Sequence, residues 1–264
     1  MFNNIVIVLD LQHFWADSSG KTILASVVIE EALKVSHSYP DISVIFFYCK
    51  ERDTQRNTFP SVAKAMLAQL LTQNQAIVPY LYDQCLQSGK VALSSPRDCS
   101  KILGTVLYAV PKTFIIIDGI DECEEKERKA MLSFFASLID DVGLEPGKLR
   151  GLFISQGLSD IKAGLHMAEV FPLTEEHSKH DIEKYALKWS IRIQQRFVGM
   201  PDAARDHIVR LVCDGAEGMF LFARLVLENL FDQKYLEDLY HELQPDTFPN
   251  GFDQAYVLSF RYGA

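Results

Sequence analysis

The chain has 264 residues, 48% hydrophobic and 23% charged. That suffices for one large or two small domains with buried cores. It excludes a disordered chain, a collagen-like fibre and a coiled-coil rod. The net charge of −9 and a pI near 5.3 argue against a general nucleic-acid binder, which needs a cationic face. They leave room for a small anion site made of backbone N–H groups and one lysine. No apolar run approaches the roughly 18 residues of a membrane span, and Ile5–Leu9 lacks the basic flank and cleavage site of a signal peptide. Cys49, Cys85, Cys99, Cys123 and Cys213 are odd in number and widely spaced, with no C-x-x-C. They read as reduced, mostly buried thiols of a cytosolic protein.

Asn4–Leu11 is an Ile/Val/Leu run expected to be a strand. A loop with Asp17, Ser18, Ser19 and Gly20 follows. Ala25, Val28, Ile29, Ala32 and Leu33 then mark one face of a helix. Ile42–Tyr48 is a second strand. Helices are expected over Phe59–Leu71 and about 77–87 and 98–109, with a loop over Ser88–Pro96. Thr113–Ile117 is a third strand, apolar enough to be buried on both faces. A helix from about Glu124 carries the stripe Met131, Phe134, Phe135, Leu138 and Ile139. Gly143–Gly147 is a loop, Leu149–Ser155 a fourth strand and Glu169–Leu173 a short fifth. This alternation predicts an α/β fold, a parallel sheet with helices on both faces. Beyond His177 only helices are expected, at 178–197, 202–213, 218–232 and 235–243, and Pro249–Ala264 shows no periodicity.

Ser19-Gly20-Lys21-Thr22 lies between the first strand and the first helix. It matches the second half of the P-loop pattern G-x-x-x-x-G-K-[ST]. Gly20 lets successive N–H groups turn toward phosphate oxygens. Lys21 sets a charge on the β and γ phosphates, and Thr22 offers a hydroxyl to Mg²⁺. The first glycine of the pattern is replaced by Trp15, and Asp17 puts a negative charge inside the loop. The bland alternative is a chance helix start.

Phe114-Ile115-Ile116-Ile117-Asp118-Gly119-Ile120-Asp121-Glu122 is the second signal, a Walker B arrangement. Asp118 is expected at the C-terminal edge of the sheet, where open α/β sheets bind ligands, and there it serves as an Mg²⁺ ligand. Asp121 and Glu122 are the candidates for orienting or deprotonating an attacking water. The alternative is an acidic helix start that favours the helix dipole.

The acidic pattern resembles the Walker B segment of NACHT NTPases, most closely the fungal NOD-like, nephrocystin-type members of the signal-transducing STAND class. Phe46-Phe47-Tyr48-Cys49, Asp53-Thr54-Gln55-Arg56, Ala68-Gln69-Leu70-Leu71, Leu152-Phe153-Ile154-Ser155-Gln156 and Ala216–Leu225 agree with it. The resemblance covers about residues 16–255. It implies a P-loop NTPase domain followed by a helical one; the break in pattern near Leu173–Glu176 sets their bounds at 1–175 and 176–245, with an irregular tail over 246–264. It implies a switch driven by ATP or GTP with Mg²⁺, in which nucleotide exchange opens the module for self-association or protein partners, with no nucleic acid and no membrane. By position, Ser18, Ser19, Gly20, Lys21 and Thr22 are the nucleotide ligands, Thr22 and Asp118 the metal ligands, and Asp121 and Glu122 the catalytic acids. Gln156 stands where many relatives have a sensor arginine, with Arg56 or Arg150 as possible substitutes. Gly218-Met219-Phe220 falls where related switches place a Gly-x-Pro turn near the adenine.

The segment before Ala16 and Tyr256–Ala264 do not match the family's usual continuations, so a shortened member or an imperfect gene model is expected. The helix from Met219 to Phe231 is apolar nearly all round, which means a core helix or an exposed interface. The second possibility predicts self-association. Glu124–Lys129 reads as a solvated helix start with i,i+4 pairs, and the scattered histidines offer no metal site. Two functions from different classes remain open: a slow nucleotide-hydrolysing switch, and a non-catalytic interaction module of the same fold. A small-molecule kinase fits less well, because the second domain is helical throughout.

Overall fold

In a computed structural model, residues 5–11, 21–88, 95–139, 147–157, 159–165, 168–172 and 174–262 are described. The chain divides into two compact units, one of β1 with residues 21–172, the other containing 174–262.

The first unit is an α/β layer structure. Its strands are β1 (Ile5–Leu11), β2 (Ile42–Tyr48), β3 (Lys112–Asp118), β4 (Leu149–Gln156) and β5 (Glu169–Pro172). They form one sheet in the order β2-β3-β4-β1-β5, and every pairing is parallel. Its helices are α1 (Lys21–Ser38), α2 (Phe59–Gln73), α3 (Val78–Ser88), α4 (Pro96–Ala109), α5 (Glu125–Ile139) and the short α6 (Ser159–Gly164). β3 carries consecutive isoleucines because both its faces are covered. Ile115 and Ile117 join the large cluster with α2, α4 and α5, while Ile116 joins Val44 and Ile29 on the α1 side. Helix starts follow local chemistry. Thr58 caps α2 by accepting the Ser61 N–H, and Ser95 caps α4 by accepting the Asp98 N–H, each with a proline in the first turn.

The β2 edge is closed by side chains. The Gln69 amide accepts the Phe46 N–H at 2.9 Å and donates to the Phe46 carbonyl at 2.8 Å. Gln73, one helical turn on, does the same for Val44 at 2.9 and 2.8 Å. Two glutamines on α2 thus satisfy the outward backbone groups of an edge strand that otherwise offers a template for association.

The second unit contains α7 (Glu175–Arg196), α8 (Asp202–Ala216), α9 (Phe220–Asp232), α10 (Leu236–Glu242) and α11 (Phe252–Tyr262). The α11 helix corrects the expectation of an irregular tail over 246–264, where the hydrophobic period is too short to stand out. It packs on α9, which also meets α7 and α8. Phe222, Ala223, Val226, Leu227 and Leu230 are buried, and only Arg224 and Asp232 of α9 are exposed. The apolar helix is therefore covered within this chain, and the bare surface on which expected self-association rested is absent from it.

The α8–α9 contact is tight. A Cβ on Gly215 would lie 2.8 Å from Cζ of the fully buried Phe222. Alanine is the better helix former by ~1 kcal/mol, yet Gly215→Ala is expected to destabilise the helical unit by ~1–3 kcal/mol through overpacking. Chemical denaturation checks this, and an unchanged or raised midpoint would show that Phe222 has room to move.

Candidate functional site

Because all five strands run the same way, their C-terminal ends share one edge. In register, Tyr48 of β2 faces Asp118 of β3, and Asp118 faces Ile154 of β4. β1 ends beside β4, with Leu11 opposite Gln156. The segment after β1 is the expected phosphate loop. Ser18, Ser19 and Gly20, with Trp15 and Asp17, lie outside the described residues. Lys21 and Thr22 open the first turn of α1, where the helix presents its positive end.

The structure brings Lys21, Thr22, Asp118 and Asp121 together. The Thr22 hydroxyl donates to Asp118 Oδ2 at 2.7 Å. The Lys21 Nζ lies 3.6 Å from Asp121 Oδ2, and both side chains are more than nine-tenths buried. Asp118 is 4% exposed. Burial pushes its carboxyl above the usual range, opposed by the Thr22 hydrogen bond and the Lys21 charge. The second oxygens of both aspartates, Asp118 Oδ1 and Asp121 Oδ1, are buried without a hydrogen-bond partner among the described residues.

Orphaned carboxylate oxygens beside a hydroxyl and an ammonium group suit a hard divalent cation carrying an anionic ligand. Asp118 and Thr22 fit as Mg²⁺ ligands, and Lys21 fits as the phosphate cation. Among the described residues no three His, Cys, Asp or Glu side chains converge as a metal cage.

Gly119 and Glu122 shape the acidic turn. Gly119 has φ of 74°, and its N–H donates to the Ile154 carbonyl at 2.9 Å. A Cβ there would meet Glu122 Oε1 at 3.1 Å and the Cys49 carbonyl at 3.2 Å, so glycine is required. Glu122 Oε2 accepts the Glu51 N–H at 3.0 Å. Burial raises the Glu122 carboxyl, with that hydrogen bond opposing it. Its basicity is thereby moved toward neutrality, as a water-orienting base requires. The neighbouring thiols are inert. A hydrogen bond with Cys123, then burial, push the Cys49 thiol up. Cys49, Cys99 and Cys123 are buried and unbridged, and Cys213 is half-buried.

Neither candidate arginine stands at the Gln156 position. Arg56 is engaged by Asp53 at 2.6 Å in the loop after β2. Arg150 is six residues before Gln156 on β4, about 20 Å away at ~3.3 Å per residue, and lies over the Phe114 ring. The Glu217–Gly218 turn, both residues at positive φ, ends α8, and the Ser178 hydroxyl donates to the Gly218 carbonyl at 2.9 Å.

The charged run at α5 needs correction. Glu125 and Lys129 do form the expected exposed i,i+4 pair. Glu127 instead caps α2, accepting the Phe59 N–H at 2.9 Å. Arg128 is turned inward onto the Cys123 carbonyl and Asp160. The missed signal is spacing. Arg128 precedes Met131, Leu132 and Phe135 by three, four and seven residues, which puts it on the buried face of the helix.

A five-stranded parallel sheet with a Gly-Lys-Thr helix start and an acidic strand end beside it defines a P-loop NTPase-like domain of the NACHT-related kind. Residues 16–156, a little over half the chain, match the family described as nephrocystin 3, N-terminal, and the chain belongs to that family. The vegetative incompatibility protein HET-E-1 of Podospora anserina is 26% identical over 251 residues, covering 90% of this chain and 18% of that protein. The chain thus spans less than a fifth of that relative. The ADP form of the Aeropyrum pernix ORC2 protein aligns at 10% identity and a TM-score of 0.48, over 98% of this chain and 63% of that one. A Thermotoga maritima RuvB mutant aligns at 10% identity and a TM-score of 0.40, over 98% and 62%. Both likenesses are loose, and the fold is defined by its own strand order. No helix among the described residues is long and apolar enough to cross a membrane.

Asp118 gives a test with a definite sign. A raised carboxyl pKa means that the ionised form costs folding energy at neutral pH, and that the cost disappears as falling pH protonates the group. Asp118→Asn is therefore expected to raise the melting temperature of the ligand-free chain at pH 7. The gain should shrink toward pH 5, and stabilisation by Mg²⁺ with nucleotide should be lost. Thermal scans across pH check this. A lower melting temperature for the variant at pH 7 would show that ionised Asp118 is a net stabilising group.

Proposed function

We propose that the chain is the nucleotide-binding module of a NACHT-type switch that takes ATP, with GTP as the alternative, together with Mg²⁺. The observation that carries this reading is the buried, incompletely hydrogen-bonded pair Asp118 and Asp121 beside Thr22 and Lys21. Lys21 would exchange its Asp121 partner for phosphate oxygens, and Ser18, Ser19 and Gly20 would supply backbone N–H groups. Thr22 and Asp118 would hold the metal, which when bound neutralises phosphate charge. Asp121 and Glu122 would position the water. Opening to protein partners or to a second copy belongs to the same reading.

Slow or absent turnover is part of the proposal. Hydrolysis needs donors already aimed at the charge that develops on the γ-phosphate, and an arginine there is worth ~10³–10⁵ in rate. Gln156 is neutral, Arg56 and Arg150 are engaged elsewhere, and Trp15 and Asp17 alter the loop. These same observations favour the second reading, a non-catalytic interaction module, if nucleotide does not bind.

Titration with a fluorescent ATP analogue, with and without Mg²⁺, tests the function. Lys21→Ala should lose ~1.5–3 kcal/mol of binding, a factor of about 10–150. Equal affinities would remove Lys21 from the site, and no wild-type binding would leave the interaction module. Steady-state hydrolysis is expected well below one turnover per second. Several turnovers per second, abolished by Glu122→Gln, would contradict the assignment of a damaged cationic half.

A further inference from the structure

Arg128 is a cation at 12% side-chain exposure, and the proposed chemistry does not use it. Its guanidinium engages two backbone carbonyls and one carboxylate, on two segments of the chain. Nη1 donates to the Cys123 carbonyl at 2.8 Å and reaches the Asp121 carbonyl at 3.4 Å. Nε donates to Asp160 Oδ2 at 2.8 Å. The first two acceptors belong to the turn after β3, and the third opens α6, the helix that follows β4. β3 and β4 are adjacent and parallel, so Arg128 joins the chain where it leaves each of them. The carboxylate of the turn it holds is the one that meets Lys21.

We propose that Arg128 is a positioning residue for the phosphate site, tying the Asp121–Cys123 turn to α6 and so holding the Asp121 carboxylate against Lys21. A lysine in its place has no rigid fork to span a carbonyl and a carboxylate together. The arrangement makes α6 a lever on the site. Displacing Asp160 frees the guanidinium, slackens the turn and uncovers the Lys21 amine. The step from turn to nucleotide rests on the reading given under Proposed function; the step from Arg128 to Lys21 does not.

The test is pulse acylation of the full chain with acetic anhydride, followed by peptide mass spectrometry, well below the melting temperature of each protein. Lys21 should label at least fivefold faster in Arg128→Ala and at least twofold faster in Asp160→Ala, while exposed Lys34 and Lys188 label at the wild-type rate. Asp160 is partly exposed, so its variant decides the matter if Arg128→Ala does not fold. Unchanged Lys21 labelling in a folded Asp160→Ala chain overturns the proposal. A second readout uses a fluorescent ATP analogue in Mg²⁺ and in EDTA. Arg128→Ala should release Lys21 to phosphate and raise the affinity for the analogue in EDTA about threefold, and an affinity equal to that of wild type contradicts the link to the phosphate side of the site. A wild-type chain that binds no analogue removes the nucleotide reading alone, and the acylation result then stands as the decision.

Discussion

The site depends on a carboxylate buried at the end of a strand. Asp118 leaves β3 where parallel neighbours cover it on both sides, so its charge is taken out of water. An unpaired charge in such a place costs several kcal/mol. Here the cost is offset locally by the Thr22 hydroxyl and the Lys21 ammonium, both in the first turn of α1. That offset holds the start of α1 against the end of β3. Gly119, favoured by its left-handed φ and its crowded Cβ position, then bends the chain so that Asp121 reaches Lys21.

The charges of the site therefore satisfy one another only in part. Two carboxylate oxygens remain buried without a partner among the described residues, and one lysine lies against one of two aspartates. An additional divalent cation with its anionic ligand would complete such a set. The acidic half is also the better supported one. Gly119, the Glu51 backbone and Arg128 all fix it, whereas position 156 holds a neutral glutamine and Arg56 and Arg150 are engaged elsewhere. The proposed slow or absent turnover rests on this imbalance.

The alternation of strands and helices was legible in the sequence because hydrophobic periods of two kinds alternate up to about residue 172. That Lys21, Thr22 and Asp118 meet at one sheet edge was legible because the motif fixes residue types at set places on a strand and a helix. Arg128 and Glu127 were not, since a run of mixed charge looks solvated unless its phase is compared with the apolar stripe that follows. The Gln69–Gln73 closure of β2 was hidden for a similar reason: glutamine on a helix is read as surface. The fate of α9 turned on α11, whose single apolar face is too short to announce a helix but sufficient to cover one. Tertiary partners decided each of these, and a local pattern does not contain them.

The most direct measurement of the central claim is amide hydrogen exchange of the full chain with and without Mg²⁺ and ATP. Binding at the proposed site predicts added protection at Asp118–Cys123 and in the first turn of α1, absent without Mg²⁺ and absent in Asp118→Asn. Unchanged exchange in both segments at saturating ATP, or protection that persists equally in Asp118→Asn, would contradict the account.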